Sequence, residues 1–181
     1  YALSLLNPAK TLEVIARIKT VLVYIIDESQ KDFVKLEDEI SMVKNYIQLE
    51  EMRYGKRLKI DFQTEGETKN LKVPPMVLFF LVENSFKHGS SLDAGTPWIK
   101  IRVTASSEKI ELWVKNSKPR VLIENQRDEI QGMGFKNLKK RLDLTYSKKG
   151  YNLSVQNKTA SFEVDLILKE KELETGRKKY R

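Results

Sequence analysis

The apolar residues of this 181-residue chain change their spacing near Gly55, and that switch limits the folds open to it. Before it, KTLEVIARIKTVLVYIIDES repeats with a helical period. Val14, Ile18, Val21 and Ile25 form one stripe, with Leu12, Ile15, Leu22 and Ile26 as a second stripe beside it. Two adjoining stripes make an apolar face wider than one neighbouring helix covers, so a helical bundle is expected, with pairing between two chains. A second helix carries Leu36, Ile40, Val43 and Ile47 at i, i+4, i+7 and i+11 and stops near Gly55, after a turn region at 27–32.

Beyond Gly55 the period becomes that of strands. RLKIDF alternates through Leu58, Ile60 and Phe62, and EGETKN has loop composition. Pro74 and Pro75 suit a helix entry, because proline in a first turn loses no intrahelical hydrogen bond, and that helix runs to about Gly89. The loop SSLDAGTP leads to the hairpin WIKIRVTASSEKIELWVKNS. KPRVLIENQRDEIQGMG has little periodicity, FKNLKKRLDLTY is helical, and YNLSVQN and SFEVDLIL are two further strands. The order over 56–168 is β, α, β, β, glycine loop, α, β, β. It predicts an α+β fold in which helices cover one face of a mixed or antiparallel sheet, an α/β two-layer sandwich. The expected division is a helical region at 1–53, a sheet domain at 54–168 and a charged tail at 169–181.

Composition narrows the chemistry. With 40% apolar and 32% charged residues the chain is globular, and no apolar run approaches the roughly 18 residues of a membrane span. Zero cysteines excludes disulfides, thiolate nucleophiles and sulfur-ligated zinc, and a single histidine argues against histidine-based metal sites. Of the net charge of +8, the final stretch KEKELETGRKKYR supplies +3 (six Lys/Arg against three Glu), and the rest is scattered. Nothing interleaves aromatic with basic residues, so no nucleic-acid partner is expected. The sequence opens on Tyr1 with no leader pattern, which suggests a piece of a larger parent protein anchored in a membrane outside this fragment.

The stretch FFLVENSFKHGSS places Glu83, Asn84, Lys87 and the only histidine, His88, in an otherwise apolar helix. Asn84 lies seven residues after Val77 and three after Leu81, on the face of core positions, and Lys87 and His88 follow it at i+3 and i+4. Two readings stay open for these residues alone: a satisfied core amide with a polar last turn, or a ligand face. QGMGFKNLKKRL adds a second feature. Gly132 and Gly134 let backbone amides approach a phosphate closely, and the helix that follows presents the positive end of its dipole. Alone, this too reads as an ordinary loop.

Taken in chain order, these motifs resemble a known family. VPPMVLFFLVENSFKHG resembles the N box VPPMxLQPLVENAIKHG of sensor histidine kinases, and GMGFKNLKKRL resembles their second glycine box, GxGLxNxxxRL. Residues 46–58, YIQLEEMRYGKRL, resemble the YLxLExxRFxxRL helix of the subfamily whose phosphoacceptor lies in an Asn-Pro-His segment. The resemblance implies a Bergerat ATP-binding fold, shared with gyrase, a heat-shock chaperone and mismatch-repair ATPases. It also implies ATP and magnesium as cofactors, a homodimer, and a response regulator as partner.

Residue by residue, it implies that Asn84 coordinates the magnesium, an oxygen ligand suited to a hard cation. Lys87 and His88 lie near the phosphates. Asn116 stands where many relatives carry the adenine-binding aspartate, accepting through its carbonyl without the charge, and the first glycine box is not recognisable. Gly132, Met133 and Gly134 form the phosphate-facing part of a lid, and Asn137 and Arg141 match the helix after it. Arg141 reads as structural, with its head in a salt bridge. Phe80 occupies the position where hydrolysing relatives place a glutamate base, so attack by water is expected to be slow. Kinase chemistry needs no such base, because an imidazole from another domain is the nucleophile. Glu83 is the one carboxylate close enough to be weighed as catalytic, against a structural role.

One element of the family pattern is absent. LSLLNPAKTLEV stands where relatives read approximately LNPHFLFNTLN, without the acceptor histidine. Three readings compete: a pseudokinase that binds nucleotide and signals without phosphoryl transfer, a deletion, or a segment missing between Pro8 and Lys10. The last is favoured, because the bundle needs a helical hairpin there. The expected activity is ATP-dependent autophosphorylation on histidine followed by phosphorelay to a response regulator.

Overall fold

The computed structural model describes residues 8–89, 96–118 and 133–169. In chain order its elements are α1 (Pro8–Glu28), β1 (Val34–Lys35), α2 (Leu36–Tyr54), β2 (Lys59–Gly66), β3 (Lys72–Val73), α3 (Val77–Gly89), β4 (Trp98–Ala105), β5 (Lys109–Ser117), α4 (Met133–Thr145), β6 (Tyr151–Asn157) and β7 (Ser161–Lys169). Among the described residues no helix is long and apolar enough to cross a membrane.

Helix α1 packs on α2 with only part of its apolar face. Val21 is buried and Val14 and Ile25 are half-buried, whereas Leu12, Ile15, Leu22 and Ile26 are exposed, as is Ile18. Arg17 fastens the pair: it donates to Asn45 Oδ1 at 3.2 Å and to Gln48 Oε1, while holding Glu13 at 2.9 Å. Pro8, Ala9 and Lys10 are consecutive residues of this one uninterrupted helix. A proline is tolerated in the first turn of a helix, where its missing N–H costs no intrahelical bond. Residues 1–7 lie outside the described residues.

Helix α2 carries Glu37, Asp38 and Glu39 in its first turn, where carboxylates meet the positive end of the helix dipole. It closes on Gly55, whose φ of 59° is the left-handed conformation glycine adopts without strain and whose N–H reaches Glu51 O. Its stripe of Leu36, Ile40, Val43 and Ile47 does not look toward a bundle. It enters the same core as α3 and the sheet, and the Tyr46 ring meets Phe79 and Phe86 edge-on at 5.1 and 5.4 Å. Ahead of α2, β1 pairs antiparallel with β3, Val34 opposite Val73. Two residues per strand carry no alternation by which a sequence could reveal this ribbon.

The main sheet has the order β2-β4-β5-β7-β6, parallel between β2 and β4 and antiparallel elsewhere. Alternation sorts its faces. Ile99, Ile101 and Val103, Ile110, Leu112 and Val114, and Phe162, Val164, Leu166 and Leu168 point to the core. Leu81, Val82 and Phe86 of α3 and Leu138 and Leu142 of α4 complete that core, so both helices cover one face. The other face is polar. Arg102 lies 5.4 Å from the Trp113 ring, Trp113 Nε1 donates to Glu163 at 2.8 Å, and Lys115 pairs with Glu163 at 2.9 Å. The result is the expected two-layer α/β sandwich of an α+β fold.

Candidate functional site

Helix α3 is amphipathic in a particular way. Val77, Leu78, Leu81, Val82, Ser85 and Phe86 are buried, Glu83 and Asn84 are half-buried, and Lys87 is exposed. Asn84 thus stands at the margin of the buried face, two turns along from Val77. Ser85 satisfies its hydroxyl within the helix, donating to Leu81 O at 3.0 Å. His88 belongs to the last turn of α3, and its side chain lies outside the described residues. Glu83 lies within electrostatic reach of Tyr46 on α2. Burial pushes the Tyr46 hydroxyl well above the usual phenol range, and the Glu50 and Glu83 carboxylates add to the effect. Phe80 packs on Phe79, ring centroids 6.2 Å apart.

Asn116 lies near the end of β5 on the core face, fully buried, between Ile99 of β4 and Phe162 of β7. Its Nδ2 donates to Ser117 O at 2.8 Å, which fixes the amide's orientation. The opposite atom, Oδ1, is buried and has no hydrogen-bond partner among the described residues. A buried acceptor left in that state costs free energy unless a ligand or water satisfies it. The Phe135 ring of α4 meets Phe162, the register partner of Asn116, edge-on at 6.3 Å. The first turns of α4 therefore sit over the Asn116 end of the sheet, with Asn137 exposed one residue before the buried Leu138. α3 packs on β5 and on α4. α3 and the start of α4 lie in the helical layer over the sheet face that carries Asn116. Met133 and Gly134 begin α4 with their side chains undescribed, and Gly132 lies outside the described residues with the 119–132 segment.

A residue that sequence reasoning missed lies behind this site. Glu39 of α2 is fully buried and accepts from Met76 N–H at 2.6 Å, Leu78 N–H at 3.1 Å and the Tyr24 hydroxyl at 2.8 Å. It caps the N-terminus of α3 from another helix, where free N–H groups need acceptors. Burial holds its carboxyl above the usual range, while the Met76, Tyr24, Leu78 and Phe79 donors pull the other way. The available signal was a charge standing three residues after Leu36 and next to Ile40, inside the buried stripe. Arg141 also differs from expectation. Among the described residues its head makes no salt bridge but donates to two backbone carbonyls, Pro75 O at 2.7 Å and Ser29 O at 2.8 Å, because the carbonyls just past α1 and in the Pro74–Pro75 segment lie within its reach.

Two helices thus cover one face of a mixed five-stranded sheet, with the buried amide of Asn116 at a strand end beneath them. The comparisons with known proteins agree. Residues 1–58 match the family model described as histidine kinase. The chain is 25% identical over 149 residues to the sensor histidine kinase YpdA of Escherichia coli K12, covering 79% of this chain and 26% of that protein. It is 27% identical over 161 residues to the sensor histidine kinase/phosphatase LytS of Staphylococcus aureus MRSA252, covering 81% of this chain and 27% of that protein. Among solved structures, the catalytic domain of histidine kinase ThkA aligns with a TM-score of 0.53 at 22% identity, over 76% of this chain and 94% of that one. The chain is a relative of the sensor histidine kinases and has the fold of their catalytic domain. It spans about a quarter of the length of YpdA and LytS.

Proposed function

We propose that this chain is the nucleotide-binding part of a sensor histidine kinase, which uses ATP and magnesium to phosphorylate a histidine whose phosphoryl group then passes to a response regulator. The observation that carries the reading is the buried Oδ1 of Asn116, without a hydrogen-bond partner among the described residues and suited as an acceptor to the exocyclic amino group of adenine. Asn84, at the margin of α3, offers an amide oxygen for magnesium. Lys87 and His88 would meet the phosphates, with backbone amides of Gly132, Met133 and Gly134 and the side chain of Asn137 as further donors. Bound magnesium neutralises phosphate charge. The residues' own part is to hold and orient the nucleotide. Glu83, whose charge is felt at Tyr46, is assigned to structure rather than to proton transfer. The nucleotide domain is drawn to begin near Val34 instead of residue 54, because α2 shares its core. The only histidine of the sequence is His88, so the acceptor imidazole belongs to a segment outside these 181 residues.

Calorimetric titration of ATP with and without magnesium tests the site. Asn84→Ala is expected to weaken binding about tenfold or more in magnesium, and far less without it. Equal affinity of variant and wild type in magnesium would contradict the assignment.

The same reading makes the chain a homodimer. The exposed stripe of Leu12, Ile15, Leu22 and Ile26 on α1 is the surface a second copy would cover, and the parent protein would be anchored in a bacterial inner membrane. In sedimentation equilibrium Leu22→Glu is expected to convert dimer to monomer with the fold intact, since Leu22 is 53% exposed within the chain. A wild-type chain that is monomeric at high concentration would rule this interface out.

A further inference from the structure

Three long-range hydrogen bonds end on the bend at 75–78, and two more tie the side chains that make them to α1 and the residue just after it. Glu39 of α2 receives Met76 N–H, Leu78 N–H and the hydroxyl of Tyr24 from α1. Arg141 of α4 donates to Pro75 O in the bend and to Ser29 O just past the end of α1. Met76, the pivot, is a non-glycine residue at φ 67°, a left-handed conformation that persists only where its surroundings enforce it. Pro74, Pro75 and Met76 are all buried, so the bend cannot relax into solvent.

The two ties have different routes to the nucleotide site. Through Glu39, α1 is bound to the first N–H groups of α3. Asn84 lies eight residues beyond Met76, about 12 Å along a rigid helix, so a small tilt imposed at the bend displaces it. Through Arg141, α1 is bound to the third turn of α4, the helix whose first turn follows the glycine loop. Neither tie is needed for the sandwich to have a core, since Leu81, Val82, Leu138 and Leu142 supply that. What the ties add is a fixed relation between α1 and both helices that flank the site.

We propose that Glu39 and Arg141 are positioning residues that lock the end of α1 to the 75–78 bend, so that nucleotide occupancy and the orientation of α1 are thermodynamically coupled. The proposal rests on the nucleotide reading above. Coupling is reciprocal: a ligand at α3 and α4 must alter the end of α1, and loosening α1 must alter ligand affinity by the same factor. Tyr24→Phe separates this from simple capping, because it removes only Glu39's tie to α1 and leaves both N–H groups at the start of α3 on Glu39.

The test is amide hydrogen exchange over residues 20–29 in the 181-residue chain, with and without magnesium-ATP. In wild type, nucleotide is expected to slow exchange there about fivefold, and Tyr24→Phe to reduce that change while weakening nucleotide affinity by a similar factor. Arg141→Lys, which cannot reach two carbonyls in a fixed fork, is expected to act in the same direction and serves if Tyr24→Phe folds poorly. A wild-type chain that binds nucleotide with no change at 20–29 would overturn the coupling alone, as would a variant that keeps the whole change. A wild-type chain that does not bind magnesium-ATP would overturn the nucleotide reading, and the coupling with it.

Discussion

Glu39→Ala should unfold in urea with a loss of about 3–4 kcal/mol, more than an ordinary surface carboxylate on a helix would contribute. The reason is what the substitution leaves behind. Two backbone N–H groups at the start of α3 and the Tyr24 hydroxyl lose their shared acceptor in a place where water has little access. Each stranded donor costs ~1–3 kcal/mol, and release of a desolvated carboxylate offsets part of the sum. Glu39→Gln keeps one acceptor oxygen but turns an NH₂ toward a donor, so about half the loss is expected. A variant within 1 kcal/mol of wild type would mean the cap carries little free energy.

The same residue fixes a pH dependence. Its folded carboxyl is held above the ordinary 4.5 by burial, so the folded chain holds a proton over a range where the unfolded chain has released it. The stability tied to that proton is fully present below 4.5 and is lost as pH rises through the folded value. Urea midpoints of wild type should therefore decline across that window relative to Glu39→Gln, which has no such proton to lose.

Glu39 also shows where reading the sequence stopped. The helical periods of α1, α2, α3 and α4 were legible because each buries a stripe with 3.6-residue spacing, and the hairpin of β4 and β5 because its inner face alternates without a break. The partner of each stripe was not legible. Leu36, Ile40, Val43 and Ile47 would look the same facing a second helix of a bundle or the back of α3, and only packing distinguishes them. A glutamate in that stripe reads as a solvated charge until Met76 and Leu78, 37 and 39 residues further on, are seen pointing at it. Arg141 fails for the same reason: its acceptors are main-chain carbonyls 66 and 112 residues away, and no side-chain pattern records them. Asn84 and Asn116 were singled out by motif position alone. Gly132 and Gly134 were singled out the same way, but Gly132 lies outside the described residues and Gly134 is described only as part of α4.

Asn116→Leu is expected to separate binding from stability. The leucine replaces an amide whose Oδ1 has no partner, so it removes a buried polar cost while giving up the Nδ2 bond to Ser117 O, and folding stability should change by less than about 1 kcal/mol. Nucleotide affinity should fall roughly 100-fold, because the adenine amino group would then be desolvated against a methyl group with no acceptor. Inosine triphosphate sharpens the comparison. It carries a carbonyl where ATP carries the amino group, so wild type should prefer ATP by tenfold or more, on the order of 1.4 kcal/mol, and the leucine variant should not discriminate. If wild type binds both nucleotides equally while binding magnesium-ATP well, then Asn116 Oδ1 does not read the base, and the unpartnered acceptor must be satisfied by water instead.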